Sequence, residues 1–72
     1  MGISYKKLWK LLIDKDMSKT DLRNSTGIAS STLSKMSQNE FVSLEVLVRI
    51  CDALNCDIGD IVSVVKREKW EA

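Results

Sequence analysis

The stretch MSKTDLRNSTGIASSTLSK, Met17 to Lys35, is rich in hydroxyl side chains and carries three cations, Lys19, Arg23 and Lys35. Hydroxyls both donate and accept, while ammonium and guanidinium groups donate, so a surface built from them hydrogen-bonds to phosphate oxygens and to base edges. Ser and Thr also compete with helix formation by bonding nearby backbone groups, and the composition alone reads as a loop. The apolar residues contradict that reading. Leu22, Ile28, Leu33 and Met36 fall where two short helices meeting at Gly27 would need them.

Other chemistries lack their partners. Cys51 and Cys56 match neither a CxxC redox pair nor a zinc knuckle, and the chain has no His. Both cysteines are expected as small buried apolar residues, with no metal and no cofactor. Acid–base catalysis would rest on scattered carboxylates, and an enzyme is not expected.

The elements that must position the hydroxyl surface belong to a small protein. At 72 residues the chain reads as one domain, residues 1–65, with a charged tail at 66–72 that includes Trp70. A domain of about 60 residues buries only ~60% of its unfolded surface, so the core is small. An apolar share of 44%, no Pro and three Gly favour an all-α fold. No apolar run reaches the ~20 residues of a membrane span, and the N-terminus lacks a signal-peptide core, which predicts a cytoplasmic protein that does not engage a membrane.

Net charge is +1, but the charges are unevenly placed. Residues 1–39 hold seven bases against three acids, and residues 40–65 one base against five acids. One half is a basic face suited to a polyanion, the other an acidic back.

The spacing predicts a first helix capped by Ser4, with Leu8, Leu11 and Leu12 inward and Tyr5, Trp9 and Ile13 widening that face. Ser18 opens a second helix, with Asp21 placed for a capping box, and Gly27 ends it. A third runs from about Ser30 to Ser37, with Leu33 and Met36 inward and Ser30, Ser31, Ser34 and Lys35 outward. Ser43 caps a fourth, apolar on most sides through Leu44, Val46, Leu47, Ile50, Cys51, Ala53 and Leu54, with Asn55 to end it. Asp57 and Asp60 start a fifth, after which IVSVV favours extended chain.

In order and spacing, MSKTDLRNSTGI, ASSTLSKM and VSLEVLVRICDALNCDIGDIV resemble the Xre/Cro-type helix-turn-helix family of bacterial and phage transcriptional regulators. These are five-helix domains akin to lambda-repressor DNA-binding domains. The resemblance implies sequence-specific binding of double-stranded DNA, with Ser30–Ser37 as the recognition helix in the major groove. It places Ala29, Ser30, Ser31, Ser34 and Lys35 toward bases, and Ser18, Lys19, Thr20, Thr32, Gln38 and Asn39 toward phosphates. Three departures accompany it. Arg23 replaces a small residue, so either it extends outward or the packing of the two motif helices is adjusted; Leu12 and Ser37 replace an Arg–Glu pair; Asn39 and Glu40 replace a loop Gly and a base.

A single motif reads one half-site, so a homodimer is expected, most simply a repressor that occupies its operator. Its interface is expected at Ile58, Ile61, Val62, Val64 and Val65, with the β-branched run pairing as a ribbon across a two-fold axis. The alternative is a protein-interaction module of the same fold, antitoxin-like or anti-repressor-like, supported by the weak basicity and by Glu40.

Overall fold

The computed structural model describes residues 2–66, so that of the expected tail only Lys66 is included and Trp70 lies outside the described residues. Strand β1 is Gly2–Ser4, followed by helices α1 (Lys6–Asp14), α2 (Lys19–Thr26), α3 (Ser30–Ser37) and α4 (Leu44–Leu54). A single 3-10 turn at Ile58–Asp60 leads into strand β2 (Ser63–Val65). The fold is mostly helical, with four α-helices and a two-stranded sheet in place of the expected five helices.

The fifth helix fails for a local reason. Asp57 does act as expected, its N–H donating to Asp60 Oδ2 at 2.9 Å. The β-branched chain that follows then turns extended and pairs antiparallel with β1, Ile3 opposite Val64 and Ser4 opposite Ser63. This pairing takes Ser4 into the strand one residue ahead of the α1 boundary, although its Oγ still accepts the N–H of Lys6 at 3.3 Å. Tyr5 takes the boundary position, and its N–H is accepted by Asn39 Oδ1 at 3.4 Å.

The core gathers Tyr5, Leu8 and Leu12 from the first helical segment, Leu22, Ile28 and Met36 from the middle, and Leu47, Ile50, Cys51, Leu54 and Ile61 from the end. Tyr5, Leu8 and Leu12 make one stripe, and Ile13, further round α1, is 75% exposed instead of widening the core face. Helix α4 is apolar on most sides, as its sequence reads, but is buried on only one of them. Leu47, Ile50, Cys51 and Leu54 face the core, whereas Leu44, Val48 and Ala53 face outward.

Left-handed residues end α2 and α4 where the sequence marked them. Gly27 ends α2 at φ 72°, its N–H bonding the Arg23 carbonyl at 2.8 Å, and Asn55 ends α4 at φ 54°. Asn39, at φ 58°, turns the chain after α3. The Tyr5 hydroxyl then donates to the Glu40 carbonyl at 2.7 Å, tying the start of α1 to this turn. Among the described residues, no helix is long and apolar enough to cross a membrane.

Candidate nucleic-acid interface

Helix α2 starts with a complete capping box. Asp21 N–H donates to Ser18 Oγ at 3.0 Å, and Ser18 N–H donates to Asp21 Oδ2 at 2.9 Å. That backbone bond holds the Asp21 carboxyl below its ordinary range. The N–H groups of Lys19 and Thr20 take no part in the box and face the positive end of the helix.

Helix α3 presents its polar side outward. Ser30, Ser31, Ser34 and Lys35 are all exposed, at spacings that share one face, while Met36 is fully buried and Leu33 half-buried behind them. Ala29 sits one residue before the helix with extended backbone and is exposed. No large apolar side chain stands on this face of the described α3, so the helix is narrow enough for a groove ~12 Å wide. Thr32 is half-buried, turned toward a shallow cleft that it lines with Lys35, Phe41, Val42, Ser43 and Val46.

Two cations of α2 grip α3 at its two ends. Arg23 Nη1 donates to Ser30 Oγ at 2.7 Å, and Lys19 Nζ donates to Ser37 Oγ at 3.0 Å. The Lys19 ammonium also lies 4.3 Å from the centroid of the Trp9 ring. The departures Arg23 and Ser37 thus acquire partners, and Leu12 packs into the core.

Among the residues expected at phosphates, Ser18, Lys19, Thr20, Gln38 and Asn39 are exposed. Ser18 and Thr20 share the start of α2 with Lys19, while Gln38 and Asn39 follow α3. Asn39 has a second task, since its Oδ1 accepts from Tyr5 and only its amide N–H₂ remains to donate. The residues expected at a dimer interface divide: Ile61 is fully buried in the chain's own core, Ile58 and Val62 are half-buried, and Val64 and Val65 are exposed. Burial of Ile61 withdraws it from any contact between copies.

Sequence reasoning missed two features near α3. Phe41 is 70% exposed beside Lys35, a position that no periodicity marks because it lies in a loop. The bond from Arg23 to Ser30 spans the turn between two helices, and spacing along one helix gives no sign of it.

Comparison with known proteins agrees with this architecture. The model of the Cro/C1-type HTH DNA-binding domain matches residues 7–67. No curated protein matches the chain. A solved structure described as the crystal structure of transcriptional regulator VanUg, Form II, is 53% identical, with a TM-score of 0.89, covering 92% of this chain and 88% of that one.

Proposed function

The chain belongs to the Cro/C1-type helix-turn-helix DNA-binding family, and from that premise we propose that it is a homodimeric transcriptional repressor whose α3 lies in the major groove of its operator. One observation carries the reading. The outer face of α3 holds Ser30, Ser31, Ser34, Lys35 and Ser37, hydroxyl and ammonium groups backed by a buried apolar side and braced by two cations of α2.

Each residue has a task. Lys35 donates to guanine O6 and N7, the serines bond base edges or phosphates, and Ala29 touches a thymine methyl. Lys19, with the free N–H groups at the start of α2, holds a phosphate and sets the register; Ser18, Thr20, Thr32, Gln38 and Asn39 add backbone contacts. The Asp21 carboxylate shares the start of α2, so the ammonium of Lys19 supplies the net attraction there.

Two copies meet through the open edge of β2, where Val64 and Val65 are exposed and Ile58 and Val62 supply the flank. Strand β2 already pairs with β1 in its own chain, so the joined ribbon has four strands. The regulator works inside the cell, where its operator lies. Selection from a random duplex library tests the whole reading: an inverted repeat with half-sites about one helical turn apart, ~34 Å, is expected. Recovery of no motif overturns it.

A second reading has its own observation. Phe41, Leu44 and Val48 are each more than half exposed along the loop and outer face of α4, an apolar surface suited to a protein partner. If that surface is the functional one, the chain binds a protein and the selection returns no motif.

A further inference from the structure

Arg23 is half-buried on α2, and its only side-chain hydrogen bond among the described residues goes to Ser30, the first residue of α3. At 2.7 Å this is a charge-assisted bond. The guanidinium has five N–H donors and no acceptor, so most of its capacity is left over. No carboxylate neutralises it: among the described residues the one ion pair joins Arg49 to Glu45, on α4.

The position of this free cation is specific. Lys19 and Arg23 stand one turn apart on α2, and they bond Ser37 and Ser30, two turns apart on α3. The Lys19 end is further fixed by Trp9, whereas the Arg23 end opens at the N-terminus of α3. In a helix-turn-helix the first motif helix crosses the DNA backbone while the second enters the groove. A cation on α2 that reaches the first turn of α3 therefore stands between groove and backbone. A planar fork there matches a phosphate in two parallel bonds.

We propose that Arg23 is a DNA-contact residue, its guanidinium bonding the Ser30 hydroxyl on one edge and a backbone phosphate on the other. This rests on the reading of α3 as the groove helix. One consequence falls on Ser30. With one Oγ lone pair taken by the cation, Ser30 keeps its hydroxyl proton and a single lone pair for the duplex, which narrows its accepting capacity and leaves its donor free for an acceptor such as N7 or O4.

The test compares Arg23→Gln, which keeps a donor for Ser30 and loses the charge, with Arg23→Lys, which keeps the charge. Affinity for the selected duplex and for a random duplex is measured by fluorescence anisotropy across a salt series, and folding is checked by thermal melting. Arg23→Gln should weaken both duplexes by the same factor and make the slope of log K against log salt shallower by about 0.9, the contribution of one phosphate. Arg23→Lys should keep the slope. A wild-type slope in a folded Arg23→Gln protein overturns the proposal, as does a loss confined to one base pair. Absence of salt-dependent binding by the wild-type chain overturns the DNA reading as well, so the two failures are distinguishable.

Discussion

The Lys19 ammonium rests over the Trp9 ring, 4.3 Å from its centroid, so the first residue of α2 is held by α1 before any duplex arrives. Such a contact contributes ~0.5–1 kcal/mol at an exposed site and fixes the charge beside the start of the helix. Replacing Lys19 by Ala should weaken all duplexes about equally and make the salt slope shallower by roughly one unit. A changed base preference with the slope intact would contradict a phosphate role.

Lys35 should behave in the opposite way. It is exposed on α3 and free of an ion pair among the described residues, which leaves its ammonium for a base edge. Lys35→Ala should lose ~1–3 kcal/mol at one base pair, a G·C, and little on random DNA. Equal losses on both duplexes would move Lys35 to the backbone.

Tyr5 should matter to stability rather than to binding chemistry. Its ring is fully buried, and its hydroxyl donates to the Glu40 carbonyl at 2.7 Å. Tyr5→Phe leaves that carbonyl without its partner and should cost about 1 kcal/mol, lowering the melting temperature by roughly 4–8 °C. An unchanged melting temperature would mean that water replaces the bond.

Alkaline pH should destabilise the domain through Cys51. Burial, reinforced by the neighbouring Cys56 thiol, pushes the Cys51 thiol up to about 11 from an ordinary 9.0. The unfolded chain therefore releases this proton before the folded one does, and stability present below pH 9 is lost as pH rises toward 11. Burial also raises the Tyr5 hydroxyl, which adds to the loss in the same direction. Cys51→Ala should fold and should show a smaller fall in melting temperature between pH 9 and pH 11. An identical fall in both proteins would remove Cys51 as a cause.

The helical frame and the polar face of α3 were legible because each is written at short range. Apolar periodicity gave Leu8, Leu12, Leu22, Leu47 and Leu54, and the cap residues Ser18, Gly27, Ser43 and Asn55 mark boundaries by their own chemistry. What stayed hidden depends on pairing over distance. Strand β1 is three residues long, and its partner β2 lies at the far end of the chain, so Ser4 reads as a cap until Ser63 is set opposite it. Ile13 and Leu44 fit an apolar pattern, yet the core leaves both exposed. The clamp from Arg23 to Ser30 depends on the crossing of α2 and α3, which one-helix periodicity does not encode.

The measurement that addresses the interface most directly is an NMR titration of the isotope-labelled chain with its selected duplex, following every backbone amide. Shifts should concentrate on residues 29–35 and on Ser18, Lys19 and Thr20, and they should diminish as salt is raised. Shifts confined to Phe41, Leu44 and Val48, or none at a saturating duplex concentration, would contradict α3 as the DNA-reading helix.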